Sequence, residues 1–256
     1  GEGLSAHLHG GFTRPPKLLD RTDSLMLLEE LLPQLGLQHH LNLYDPVLPL
    51  KSLLGAIGRA KDELVSPVRY AELARAMRDA AATGDDEEAA EKAIEVGRVY
   101  TVYDRTLRER GLVDFGDLVA LPVTLLRDNP EVAEAVRAER AHVLVDEYQD
   151  MNHASSQLLR GIVTPGRGPW VVGDVRQAIY RFRGASPLNM TRFADDFPGA
   201  AFTDLSVNYR SGGAIVRTFE TFGRQMVAGR VSSQKNLSPH RGENTGAVTY
   251  GIAATR

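Results

Sequence analysis

His142-Val143-Leu144-Val145-Asp146-Glu147-Tyr148-Gln149-Asp150 and Trp170-Val171-Val172-Gly173-Asp174 decide the fold. Each is a short apolar run that ends in acid. Runs of this length without polar alternation read as parallel strands buried on both faces. A helical stretch over 152–163 lies between them. Strand, helix, strand in that order is a βαβ unit, so an α/β fold with a parallel sheet is expected. Residues 201–207 predict a third strand. Residues 247–252 predict a fourth, after a polar, Pro- and Gly-containing linker over 231–246.

The first half reads differently. Asp23 is a candidate cap for a helix carrying Leu25, Leu28, Leu31 and Leu32, disturbed by Pro33 and Gly36. Ser52 is a candidate cap for a second, with Leu53, Ile57 and Leu64 on one face and Pro67 closing it. Residues 70–82 are helical by composition. A long helix then runs from Asp86 to about Arg110, with acid at its start, Arg108 and Arg110 at its end, and Gly111 as the C-cap. At 1.5 Å per residue it spans roughly 37 Å.

Composition narrows the classes. The 256 residues are 43% hydrophobic and 25% charged, enough apolar content for a core. The net charge of −3 gives no sign of nucleic acid, so charge has to be read locally. There is no Cys, which removes disulfides, thiolate metal sites and a Cys nucleophile and fits a cytoplasmic protein. No apolar run approaches the ~20 residues of a membrane helix, and no signal peptide is visible. Gly1-Glu2-Gly3 does not look like a natural start.

Three clusters carry candidate chemistry. Asp146 and Glu147 follow a strand, where α/β sheets gather ligands. Asp146 can hold Mg²⁺ and Glu147 can polarise a water; acids that merely end a strand are the alternative. Gln177 can sense a terminal phosphate. Beyond it Tyr180 and Phe182 interleave with Arg176, Arg181 and Arg183, a pattern that suits stacked bases and neutralised phosphates of a single strand. On composition alone the plainer reading makes the two aromatics core and the arginines a solvated rim. In Asn208-Tyr209-Arg210-Ser211, Tyr209 can stack on a flat base and Arg210 can fork onto phosphate; a capped strand-to-helix turn is the plainer reading.

In this order and spacing the three clusters resemble motifs II, III and IV of UvrD/Rep-type helicases of superfamily 1. Gly111-Leu112-Val113-Asp114-Phe115-Gly116-Asp117-Leu118 is similar to the family's segment before motif II, and residues 53–70, with Arg59-Ala60-Lys61-Asp62-Glu63-Leu64, to its helical insertion. The likeness covers about 50–230 and, more weakly, 15–50. It implies part of a RecA-like, P-loop NTPase parallel sheet with a mostly helical insertion subdomain. The insertion would span 1–110, the latter part of the first motor domain 111–230, and the linker with the start of a second motor domain 231–256. It implies Asp146 on Mg²⁺, Glu147 as the base for ATP hydrolysis, Gln177 as γ-phosphate sensor, Tyr209 on adenine and Arg210 as an arginine finger. Tyr180, Phe182 and Arg183 would contact DNA. Ala178 stands where Ser is frequent, and Phe182 where Trp is also common.

A motor of this kind needs Gly-x-x-x-x-Gly-Lys-Ser/Thr to cradle phosphates. No Lys here follows a Gly, and Lys51-Ser52, the only Lys before Ser or Thr, is preceded by Leu50. The chain is therefore expected to be a fragment that does not hydrolyse ATP by itself. The protein it comes from is expected to be an ATP-dependent helicase, 3′ to 5′ by family habit, on single-stranded DNA and DNA junctions. A non-catalytic DNA-binding or scaffold relative and the motor part of a helicase–nuclease are the alternatives; keeping Glu147, Gln177 and Arg210 together favours an active motor.

Overall fold

Asp20 begins the first helix, because its carboxylate accepts from the Asp23 amide at 2.8 Å while Asp23 returns a contact to the Asp20 amide. This reciprocal box places the start one turn before the expected cap, with Asp23 as the third helical residue. The computed structural model describes residues 15–40, 47–178, 190, 192–225 and 236–249. In chain order its elements are β1 (Lys17–Leu18), α1 (Arg21–Leu35), α2 (Val47–Asp62), α3 (Pro67–Asp79), α4 (Gly84–Glu109), β2 (Leu112–Val113), α5 (Asp117–Asp128), α6 (Pro130–Ala138) and β3 (Leu144–Val145). There follow α7 (His153–Ile162), β4 (Trp170–Val171), α8 (Phe193–Asp196), β5 (Val207–Asn208), α9 (Gly213–Gln225) and β6 (Ser238–Pro239). The chain is thus mixed α/β, mostly helical, with short parallel strand pairs: β1 with β2, β3 with β4, β5 with β6.

Other boundaries move for local reasons. α2 begins at Val47, so Ser52 lies inside it. Pro67 opens α3 behind a Ser66 cap, since a ring without an N–H fits the first helical turn. Thr83 and Asp86 form a capping box on α4, whose 26 residues span about 39 Å. Gly111, at φ +66°, turns the chain out of α4 into β2 in the left-handed region that favours glycine. The helices α5 and α6 were not anticipated.

The described chain forms two compact units. In the first, built from residues up to Val143 with Met151–Pro169, α1, α2 and α4 enclose a core of Leu28, Leu35, Leu53, Ile57, Val99 and Tyr103. Fully burying one such side chain contributes about 1.5–3 kcal/mol. α5, α6 and α7 meet around Leu126, Val132 and Ala133, with Leu158 and Ile162 against them. Lys61 is buried between Asp114 Oδ2 and Asp117 Oδ1, both at 2.8 Å, and the Tyr103 hydroxyl donates to Asp114 at 3.2 Å. A Cβ on Gly116 would come within 2.8 Å of Lys61 Cδ, so glycine is needed there. Ala60, Lys61, Asp114 and Asp117 are therefore interior, while Phe115 between the two acids faces out. Burial pushes the Asp117 carboxyl up, against the pull of Lys61.

The second unit contains β3 to β6, except for α7, together with α8 and α9. Its strands are shorter than the apolar runs that announced them. Leu144 pairs with Trp170 and Val145 with Val171. Leu144 and Trp170 are 72% and 74% exposed, which corrects the expectation of strands buried on both faces. Each is an edge strand of a two-stranded sheet, and no described element covers those side chains. The third strand comes at Val207–Asn208, the end of the expected range. Residues 247–249 are not a strand; the rest of the expected fourth strand lies outside the described residues.

Candidate functional site

Where β3 ends, the backbone turns sharply. Glu147 sits at φ +51°, an uncommon conformation for a side chain with a Cβ. Asp146 braces it, accepting the Glu147 N–H on Oδ1 at 2.9 Å. A short 3₁₀ turn, Tyr148–Asp150, follows. The Tyr148 N–H donates to the Val172 carbonyl at 2.9 Å, so the turn is tied to the strand beside it. The Tyr148 ring is buried and meets Phe193 of α8 edge to face at 5.3 Å. These anchors leave Asp146 and Glu147 exposed at the carboxyl end of β3.

Gln149 is 1% exposed and joins the two strand ends. Its Nε2 donates to Glu147 Oε2 at 2.6 Å, and its Oε1 accepts the Asp174 N–H at 2.9 Å. Asp174 then caps the next 3₁₀ turn, Val175–Gln177. Its carboxylate accepts the Arg176 N–H at 2.9 Å and Gln177 Nε2 at 3.0 Å. One hydrogen-bonded run therefore leads from Glu147 through Gln149 and Asp174 to Gln177. It needs glycine at 173, because a Cβ there would lie 2.8 Å from Gln149 Oε1.

Asp146, Glu147 and Gln177 are thus brought together. Tyr209 and Arg210 share no hydrogen bond with them among the described residues. Asn208 Oδ1 accepts the Arg210 and Ser211 N–H groups at 3.0 and 2.8 Å, an Asx turn that leaves Tyr209 and Arg210 exposed. The Tyr209 ring lies 4.7 Å from the His240 ring, centroid to centroid. Tyr180, Phe182 and Arg183 lie outside the described residues. Among the described residues no group of three or more His, Asp or Glu side chains is arranged to hold a metal ion. The donor set at Asp146, an exposed carboxylate with one oxygen on a backbone N–H, fits Mg²⁺ nonetheless, since nucleotide-bound Mg²⁺ takes one or two carboxylates and completes its shell with phosphates and water.

Sequence reasoning misses three residues here. Gln149 offers it only one more polar group after the strand, and Asp174 only the acid that closes a strand. Glu220, which pairs with Arg176 of the second 3₁₀ turn, carries no motif signal, though it lies four residues after buried Val216 and so on the inward face of α9. An acid on a buried helical face was the available signal.

The UvrD/REP helicase N-terminal domain model matches residues 5–198. The chain is 34% identical over 200 residues to the ATP-dependent DNA helicase Rep of Salmonella typhimurium, covering 78% of this chain and 27% of that protein. It is 32% identical over 207 residues to the ATP-dependent DNA helicase PcrA of Bacillus subtilis, covering 81% and 25%. To the ATP-dependent DNA helicase UvrD1 of Mycobacterium tuberculosis it is 37% identical over 201 residues, covering 76% and 24%. It spans about a quarter of the length of these relatives. With the matched segment holding Asp146, Glu147 and Gln177, the chain belongs to the UvrD/REP helicase family.

Proposed function

We propose that the natural protein containing this chain is an ATP-driven DNA helicase that moves 3′ to 5′ on single-stranded DNA and works at DNA junctions in repair or recombination. The observation that carries this is the hydrogen-bonded run from Glu147 through Gln149 and Asp174 to Gln177. It links a carboxylate able to take a proton from water with an amide able to sense a phosphate, which is what coupling hydrolysis to movement requires. Glu147 Oε2 is held by Gln149, so Oε1 is the oxygen that takes the proton as water attacks the γ-phosphorus, the bond to the β,γ-bridging oxygen breaks and ADP leaves. Gln177 turns its amide to the γ-phosphate and loses that partner when phosphate leaves. Tyr180, Phe182 and Arg183, which follow Gln177 closely in the chain, would contact the DNA. Arg210 neutralises charge on the transferred phosphoryl group, and Tyr209 stacks on adenine.

Asp146 would hold Mg²⁺, which when bound screens the charge of the phosphates. β3 and β4 would belong to a RecA-like sheet completed by parts of the motor outside this chain, whose strands would pair with their free edges and whose helices would cover their exposed side chains. The helical insertion over 1–110, the motor segment over 111–230 and the second-domain start over 231–256 belong to the same proposal, as does a cytoplasmic location. No helix among the described residues is long and apolar enough to cross a membrane.

The test is DNA-stimulated ATPase and strand displacement by the natural reading frame that contains this chain. Turnover that rises with single-stranded DNA is the expected result; a protein that binds DNA but never hydrolyses ATP would be the non-catalytic relative instead. The 256 residues alone, without a Gly-x-x-x-x-Gly-Lys loop, are expected to show no turnover.

A further inference from the structure

Gln149 is as buried as any described side chain in its unit, and a buried amide must find partners for both its ends. Here the two ends are not interchangeable. The Asp174 N–H can only donate, so it fixes the carbonyl end of the amide at 2.9 Å. The NH₂ end is thereby directed at Glu147 Oε2, at 2.6 Å. The backbone adds two constraints. Glu147 is held at φ +51°, and the absent Cβ of Gly173 leaves the space that the amide oxygen fills. Asp174, whose N–H sets the amide, uses its carboxylate to hold the backbone of Arg176 and the side chain of Gln177. Any movement of the 175–177 turn that shifts Asp174 therefore moves the amide that aims Glu147.

We infer that Gln149 is a positioning residue for ATP hydrolysis: it aims the Glu147 carboxylate and makes that aim depend on the state of the Gln177 turn. The inference rests on the proposed ATPase function. The amide supplies a donor at one end and an acceptor at the other. A methionine of similar length supplies neither, and a carboxylate sets like charge against Glu147.

The experiment uses the natural reading frame with four proteins: unmodified, Gln149→Met, Gln149→Glu and Gly173→Ala. Nucleotide affinity, kcat and thermal stability are measured for each. Gln149→Met is expected to lower kcat by about 10²-fold through misplacement of the base, with nucleotide affinity nearly unchanged. Gly173→Ala, which disturbs the amide without altering it, is expected to lower kcat in the same direction. Gln149→Glu, which keeps the acceptor for the Asp174 N–H but loses the donor to Glu147, is expected to lower kcat as Gln149→Met does. A purely structural role would lower thermal stability and let kcat and nucleotide affinity fall together. Unmodified protein that hydrolyses ATP while Gln149→Met or Gln149→Glu keeps normal kcat, or loses kcat and nucleotide affinity in parallel, overturns the inference and leaves the ATPase reading standing. Unmodified protein without ATPase activity removes both.

Discussion

Arg176 Nη1 lies 2.9 Å from Glu220 Oε1, and both side chains are 93% buried. Arg176 precedes the proposed sensor Gln177; Glu220 stands on α9, ten residues after Arg210. Glu220 also accepts the Leu237 N–H at 3.1 Å, and Gly223 leaves room for the Arg176 side chain, whose Cδ a Cβ would approach to 3.2 Å. The pair therefore pins the Val175–Gln177 turn to the helix that follows Asn208-Tyr209-Arg210. Removing one partner strands the other charge in the interior. Arg176→Met or Glu220→Leu alone is expected to cost about 3–5 kcal/mol, and the double variant to recover most of it. Urea denaturation of the four proteins checks this; equal losses in single and double variants would refute the pairing.

Glu147→Gln in the natural reading frame is expected to abolish ATP turnover and leave nucleotide binding intact. The new amide keeps an oxygen to accept from Gln149 but cannot take a proton. Arg210→Ala is expected to lower kcat steeply by removing a cation from the transferred phosphoryl group. Single-turnover hydrolysis beside nucleotide titration separates these effects from lost binding. A Glu147→Gln protein with near-normal kcat would remove Glu147 from its role.

Phe182 and Arg183 are distinguishable by salt. Phe182→Ala is expected to weaken single-strand binding by ~1–3 kcal/mol, largely independent of base sequence and persisting at high salt. Arg183→Ala is expected to reduce the salt slope of binding by ~0.7 if it neutralises one phosphate. If Phe182 is core instead, its truncation lowers the melting temperature by an amount equivalent to ~3–5 kcal/mol. Affinity and melting temperature measured on one preparation tell the two apart.

Asp62 gives a pH signature in the first unit. Burial, with Glu63 and Asp114 nearby, raises its carboxyl to about 6, while Asn152 Nδ2 donates to it at 2.7 Å. Between the unfolded value of 3.8 and about 6 the folded state holds the extra proton, so stability from this group falls as pH rises through that window and is level above it. Asp62→Asn keeps an oxygen for Asn152 and removes the charge. It is expected to stabilise the fold at pH 7 to 8 and to make no difference below about pH 3.8. Thermal melts across that range check the sign; a variant that is less stable at neutral pH contradicts it.

Glu95 has the opposite sign. Burial alone would raise its carboxyl, but the Gln38, His39 and His40 N–H groups and the His40 ring outweigh this and hold it below 4.5. Its contribution is full above the unfolded value and is lost as pH falls through the lowered folded one. Glu95→Gln is expected to cost about 1.5–3 kcal/mol at neutral pH through loss of charge-assisted hydrogen bonds, and less in acid. Chemical denaturation at pH 7 and pH 4 compares the two.

The sequence by itself determined the kind of elements and the family. Apolar spacing and capping residues act within a few positions, so α1, α4 and the places of β3 and β4 were legible to within a turn. The family was legible because the order of the motifs that hold Asp146, Glu147 and Gln177 carries the likeness. Tertiary structure alone decided what those residues lean on. Gln149 and Asp174 sit 25 residues apart, and only the parallel pairing of β3 with β4 sets the amide of one against the backbone of the other. Lys61 with Asp114 and Asp117, and Arg176 with Glu220, are likewise joined across 53, 56 and 44 positions of chain. No local pattern encodes such partners. A buried charge persists only where folding delivers its counter-charge, and that delivery is a property of the packed chain.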